Sequence, residues 1–251
     1  CAQRRIVFRH RGSEPDRHVV LDHGFRKHRL AWIVVEVRSI DQGARLALVD
    51  HHAGRLAEVF PGLDNSRHLL LSGDVTSTAE MAALAEQALK SFGRIDTLVH
   101  IAGGFEMGEA THALTRASWD RMMNLNAWSF VAVTQAVLPS MIERRAGSVI
   151  DVTAKVAARG VPAMAAYIAS KSALQRLVEA MAAEAAPHGV NVNSVAPSVL
   201  DTPANRQAMP DANPAEWVST SVAAQTIAFL ASPGAAALHG QNYSFSTFAG
   251  Q

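Results

Sequence analysis

Tyr167 and Lys171 stand four residues apart in the run Tyr167-Ile168-Ala169-Ser170-Lys171, inside a stretch that reads as helix over about 166–186. Four residues is about one helical turn, so the phenol and the ammonium share a face. A cation beside a phenol favours the phenolate and lowers its pKa from about 10 towards neutrality. That makes Tyr167 a candidate general acid or base. Taken alone, the pair also suits an ordinary polar helix surface, and the neighbouring stretches have to decide.

Those stretches alternate between strand and helix. Residues 44–50 (ARLALVD) form a short apolar run ending in Asp50 and read as a buried parallel strand. The pattern recurs at 68–73, followed by Asp74 and Val75, with a short helical stretch between the two. Residues 78–92 have helical spacing, with Ser77 or Thr78 as the cap. A third strand at 97–101 is closed by Ala102-Gly103-Gly104. A long helix follows over about 118–144, then a strand at 148–152, the helix carrying Tyr167, and a strand at 190–195 ended by Pro197. Proline-rich residues 198–220 read as a mobile loop with short helices, before a helix at about 222–231 and a last strand at 242–245. This order predicts an α/β fold, a single-domain doubly wound parallel sheet with helices on both faces. In such sheets ligands bind at the carboxyl ends of the strands. Asp50, Asp74, Gly103, Thr153 and Pro197 all fall there.

Composition narrows the class. With 251 residues, 49% hydrophobic and 18% charged, the chain suits one large globular domain, and no repeat or linker divides it. No continuous apolar run of membrane-spanning length and no signal-peptide pattern is seen, so a cytoplasmic protein is expected. The single cysteine excludes a disulfide framework, and the scattered histidines lack ligand spacing, so no metal is expected. The tryptophans lie mostly in helical stretches and read as packing. The formal charge of +1 is uneven: residues 1–40 carry nine Lys/Arg against four Asp/Glu, the remainder fourteen against eighteen.

Six stretches, GARLALVD, SGDVTS, LVHIAGG, WDRMMNLN, YIASK and VNVNSVAPSVLDTP, resemble those of the short-chain dehydrogenase/reductase family in order and spacing over about 43–250. The resemblance implies a Rossmann-like domain in which hydride passes between nicotinamide and a small carbonyl, imine-like or quinoid substrate. Tyr167 would exchange the proton. Lys171 would tune it and hold the nicotinamide ribose, and Asn126 would support a proton relay. Asp50 would accept from the adenosine ribose hydroxyls and repel a 2′-phosphate, favouring NAD over NADP. Asp74 and Val75 would contact adenine, Ala102 and Gly103 would let the backbone approach the cofactor, and Pro197, Val199 and Thr202 would lie at the nicotinamide end. A homodimer or homotetramer pairing through the two long helices is expected, with no nucleic-acid or membrane partner.

The chain departs from the family in two places. Thirteen residues before Tyr167, where the family has its catalytic serine, stands Ala154. Losing such a donor commonly costs about 10²–10³ in rate. Either the adjacent Thr153 substitutes or the substrate does not need the donor. Quinoid dihydropteridine reductases also have alanine there, and TAKVAARGVPAMAAY, AGGF and LDTPANRQAMPDANPAEW (200–217, the substrate loop) resemble that subgroup. Asn126, by contrast, marks the wider family.

The second departure is the glycine-rich phosphate turn, expected some twenty-five residues before Asp50. A strand is readable near 19–21, but Gly24 is followed by Phe25-Arg26-Lys27-His28-Arg29 and no glycine before Gly43. Three readings stay open for this aberrant first unit, residues 1–42. A shifted reading frame is one, because codons for Gly24 to Arg29 can spell Gly-x-Gly-x-x-Gly out of frame, and the chain starts at Cys1. A divergent terminus whose Arg26, Lys27 and Arg29 face the pyrophosphate is another. The third is a basic nucleic-acid arm, which no aromatic interleaving supports. Missing glycines and serine also motivate a rival for the whole chain: a non-catalytic, dinucleotide-binding regulator, or a defective product.

Overall fold

The computed structural model describes residues 32–36, 45–52, 54–59, 63 and 66–247. Strand β1 is Trp32–Glu36, β2 is Arg45–Asp50, and the short helix α1 is Arg55–Val59. Then come β3 (Leu69–Ser72), α2 (Thr78–Phe92) and β4 (Thr97–His100). One helical stretch follows in three parts: α3 (Arg116–Met123), a π-helical turn (Asn124–Trp128) and α4 (Ser129–Arg144). Strand β5 (Gly147–Val152), helix α5 (Ala165–Ala185) and strand β6 (Val190–Pro197) complete the centre. After β6, the two-residue strands β7 (Leu200–Asp201) and β8 (Val218–Ser219) pair with each other around α6 (Pro203–Ala208). Helix α7 (Thr220–Leu230) and strand β9 (Asn242–Phe245) end the described chain.

Seven strands form one sheet in the order β3-β2-β1-β4-β5-β6-β9. The predicted strands appear as β2 to β6 and β9, and their mutual pairings are parallel. Their sequences are near-continuous apolar runs because both faces are covered. On one face Val49, Leu71, Leu98, Val149 and Val192 pack under α2, α4 and α5 through Ala85, Val133, Leu174 and Val178. On the other, Leu48, Val99, Ile150 and Val195 meet Leu56 of α1 and Ile227 and Leu230 of α7.

Local chemistry sets the turns. Ser77 caps α2 by accepting from the Glu80 N–H, and the Glu80 carboxylate accepts from the Asp74 N–H at 2.8 Å. Gly189, at φ 71°, launches β6 where a Cβ would come within 2.6 Å of the Arg145 carbonyl oxygen.

Two features differ from the sequence reading. The long helix spans Arg116–Arg144, apolar enough over one window to match a membrane span by length and composition, yet half of that window is buried inside the protein. Phe130, Val133, Val137 and Met141 of this helix sit in the core. The other difference is β1, which fills the central slot antiparallel to both β2 and β4. The strand expected near 19–21 and the turn at Gly24–Arg29 lie outside the described residues.

Candidate active site

The loop following β4 converges with the π-helical turn and α5 at the carboxyl ends of the parallel strands. A Cβ added to Gly103 would lie 2.8 Å from Asn126 Oδ1 and 3.0 Å from Lys171 Nζ, so only glycine fits between these side chains. Asn126, fully buried, accepts from the Gly104 N–H at 2.7 Å through Oδ1, and its Nδ2 donates to Gly104 O at 3.1 Å and to Ser170 Oγ at 2.8 Å. Ser170 Oγ in turn donates to the Tyr167 carbonyl at 2.7 Å. One side chain therefore fixes the glycine loop against the helix that presents Tyr167 and Lys171. The π-helical turn aims Asn126 inward, while Trp128 in the same turn donates from Nε1 to Thr76 O at 3.0 Å.

Beyond the glycines, the loop is held from both sides. Glu106 pairs with Arg121 of α3, Glu109 accepts from the Thr115 N–H at 3.0 Å, and the Gly108 N–H donates to Ala163 O at 2.9 Å. This places the Phe105 ring edge-on to Tyr167, with centroids 4.9 Å apart.

Lys171 is buried and donates to Val152 O at 2.7 Å. An ammonium has three donors, and no other partner for it appears among the described residues. Burial pulls the Lys171 pKa below its usual value, and the Asp151 carboxylate partly offsets this. Burial pushes the Tyr167 phenol up to about 12. The sequence expectation was the reverse, a phenol depressed by Lys171. With the ammonium anchored on Val152 O and Phe105 against the ring, loss of water contact governs the phenol.

The Thr153 hydroxyl is already bonded to the neighbouring strands. It is directed to Val195 O at 3.1 Å and to Asn242 Oδ1 at 2.8 Å, on β6 and β9. Ala154, 7% exposed, brings no hydroxyl. Asn126 is brought to the cluster, but its amide is committed to Gly104 and Ser170, which gives it a positioning part.

The residues expected at the adenosine end lie on β2 and after β3. Asp50, 1% exposed, accepts from the His52 N–H at 2.8 Å through Oδ1. Its Oδ2 is buried with no hydrogen-bond partner and lies 3.6 Å from Arg55 Nη1. Asp74 Oδ1 accepts from the Thr76 N–H and hydroxyl at 2.9 and 2.8 Å, and Val75 is buried. Ala102 is buried at the start of the glycine loop. Pro197 ends β6, Val199 is exposed, and Thr202 is buried as the cap of α6, accepting from the Asn205 N–H.

A nicotinamide dinucleotide fits the donor set at its two ribose ends: an orphaned buried carboxylate oxygen on Asp50 and uncommitted ammonium donors on Lys171, beside a glycine that admits no side chain. Among the described residues no group of His, Cys, Asp and Glu is arranged to hold a metal. Spacing alone did not single out Ser170, His100 or Asp151. Ser170 sits inside the Tyr/Lys run, and the other two are polar residues at the ends of apolar strands, which was the available signal.

The profile of the short chain dehydrogenase family matches residues 35–213. The chain is 32% identical over 171 residues to 2-(S)-hydroxypropyl-CoM dehydrogenase 3 of Xanthobacter autotrophicus, covering 67% of this chain and 66% of that enzyme. It is 32% identical over 226 residues, 83% of this chain and 84% of the relative, to a (5R,7aS)-5-hydroxy-7a-methyl-1-oxo-2,3,5,6,7,7a-hexahydro-1H-indene-carboxyl-CoA reductase of Mycobacterium tuberculosis. A solved 7α-hydroxysteroid dehydrogenase, complexed with NADH and 7-oxo glycochenodeoxycholic acid, superposes with a TM-score of 0.67 at 28% identity, covering 80% of this chain and 82% of that one.

Proposed function

Because the chain belongs to the short-chain dehydrogenase/reductase family of oxidoreductases, we propose that it is an NAD-preferring reductase or dehydrogenase acting on a small carbonyl, imine-like or quinoid molecule. The convergence of Gly103, Asn126 and Lys171 supports this most directly, since a single added carbon at Gly103 would collide with both side chains. The nicotinamide group, when bound, supplies or takes the hydride. The Tyr167 phenol holds the proton that the reacting oxygen or nitrogen gains or loses, and its high pKa keeps it protonated at neutral pH. Lys171 directs its uncommitted N–H groups into the same space and moderates charge left on the phenol. Asn126 and Ser170 fix the angle between loop and helix. The Asp50 carboxylate accepts from ribose hydroxyls through Oδ2 and disfavours a 2′-phosphate by like-charge repulsion.

Quinoid dihydropterin is the narrower substrate reading. It is supported by the absence of a hydroxyl on Ala154 and by the commitment of Thr153 to the sheet, which leave this strand end without a donor for a carbonyl oxygen. The edge of Phe105 beside Tyr167 suits a flat ring. Association of copies through α4 and α5 belongs to the same proposal.

Titration of NADH into the purified chain, followed by turnover of quinonoid dihydropterin and a panel of ketones, tests the reading. Binding with turnover that Tyr167→Phe abolishes supports it. Binding without turnover of any of these supports the non-catalytic alternative, and turnover untouched by Tyr167→Phe removes the proposed chemistry.

A further inference from the structure

Two fully buried titratable side chains take no part in the chemistry above, and one of them, Asp151, acts electrostatically on Lys171. His100, the last residue of β4, and Asp151 of β5 are direct cross-strand partners, and each is 0% exposed. His100 Nδ1 hydrogen-bonds Asp151 Oδ1. Its Nε2 meets Ser129 Oγ at 3.2 Å, and Ser129, the first residue of α4, donates its hydroxyl to Leu125 O at 2.7 Å. Phe130 packs edge-on against the imidazole, with centroids 5.5 Å apart. Asp151 Oδ2 is buried with no hydrogen-bond partner.

The hydrogen bonds fix the proton count. A serine has one hydroxyl proton, and here it lies on Leu125 O, so Ser129 Oγ offers only lone pairs to His100. Nε2 must then carry a proton to reach it. Nδ1 and Oδ1 also bond only with a proton between them. Whichever of the two holds that proton, imidazole and carboxylate together are neutral. Asp151 by itself would set a full negative charge beside Lys171; Asp151 with His100 does not.

We propose that His100 and Asp151 form a buried proton-holding unit that limits the negative charge facing Lys171, which makes His100 a positioning residue for the Tyr167–Lys171 pair. The catalytic consequence rests on the Tyr167–Lys171 reading of the function; the proton count does not. Around Lys171, α5 contributes Tyr167, β5 contributes Asp151, and the π-helical turn and the glycine loop contribute Asn126 and Gly103, which do not titrate.

The unit predicts unequal effects from its two members. Burial favours loss of the Lys171 proton. Asp151→Asn leaves a neutral imidazole beside a neutral amide, so the net charge of the unit stays zero and the Lys171 midpoint moves little. His100→Asn removes the partner that shares the proton, leaving Asp151 ionised, so Lys171 keeps its proton to higher pH.

The chain has four lysines, so selective ¹³Cε labelling with NMR titration of the cofactor-free protein resolves Lys171, assigned by its loss in Lys171→Met. The expected result is a midpoint raised by about one unit in His100→Asn and moved far less in Asp151→Asn. A midpoint unmoved by His100→Asn, or lowered by both substitutions, overturns the proposal. Should either variant fail to fold, ¹⁵N spectra of the unaltered protein give the second measurement. His100 Nε2 is expected protonated at neutral pH, and a bare Nε2 overturns the proton count. In turnover, the alkaline limb of the pH profile moves to higher pH in His100→Asn and stays near its place in Asp151→Asn. Lysine shifts without any turnover contradict only the catalytic reading, whereas intact turnover with an unmoved lysine contradicts only this unit.

Discussion

Replacing Thr153 by valine separates the two explanations for a family member without its serine. The Thr153 hydroxyl reaches Val195 O at 3.1 Å and Asn242 Oδ1 at 2.8 Å. Both acceptors keep another donor after the substitution: Val195 O retains the Thr153 N–H at 2.9 Å, and Asn242 Oδ1 retains the Ser194 hydroxyl at 2.9 Å. No buried group is orphaned, so the loss is that of an ordinary intramolecular hydrogen bond, about 1 kcal/mol. That changes the folded-to-unfolded ratio roughly fivefold. Urea denaturation measures it, and steady-state turnover on the same sample is expected to be unchanged. Were Thr153 the proton-donating surrogate for serine, turnover would drop by about 10²–10³. A hundredfold loss of kcat with the stability change as small as calculated would refute the argument that the hydroxyl is committed to the sheet.

Gly103→Ala puts a carbon 2.8 Å from Asn126 Oδ1 and 3.0 Å from Lys171 Nζ. It is expected to destabilise by about 1–3 kcal/mol and to cut turnover more than tenfold; wild-type kinetics in the variant would refute the close approach. The chain has two tyrosines, so phenolate absorbance in a Tyr243→Phe background reports Tyr167 alone. It should appear only near pH 12. Because burial raises the folded value above the unfolded value of about 10, Tyr167 contributes stability that is complete below about pH 10 and is lost as pH rises towards 12. Phenolate formation below pH 10 in the cofactor-free protein would show a phenol already depressed by Lys171.

What the sequence made legible was what short-range pattern encodes. The strand ends carrying Asp50, Gly103 and Pro197, and the helix carrying Tyr167 and Lys171, follow from apolar runs and one-turn spacing. Asn126 was placed on a helix, but the π-helical turn was not foreseen, since it is stabilised by bonds to Gly104, Ser170 and Thr76, distant in sequence. The tyrosine pKa was read from the lysine alone. Burial against Phe105 is a tertiary effect, and it reversed the direction. Thr153 stands beside the family's serine position, but the partners of its hydroxyl, Val195 and Asn242, are distant in sequence. His100 and Asp151 are far apart in sequence, and only the parallel register makes them neighbours.

The direction of β1 bears on the missing glycine turn. In a parallel first strand the chain leaves the sheet at the ligand edge, and the following turn brings backbone N–H groups to the pyrophosphate. Here Trp32 pairs with Val49 and Glu36 with Arg45, so β1 starts at the edge where Asp50 lies and ends at the opposite one. The connection from Glu36 to Arg45 therefore has both ends away from the crevice. The turn at Gly24–Arg29 follows the strand expected at 19–21 and precedes Trp32, so β1 is not the strand that would carry it. The coding sequence upstream of Gly43 tests the frame reading: a shifted frame that spells the glycine turn supports it, and an unshifted frame refutes it.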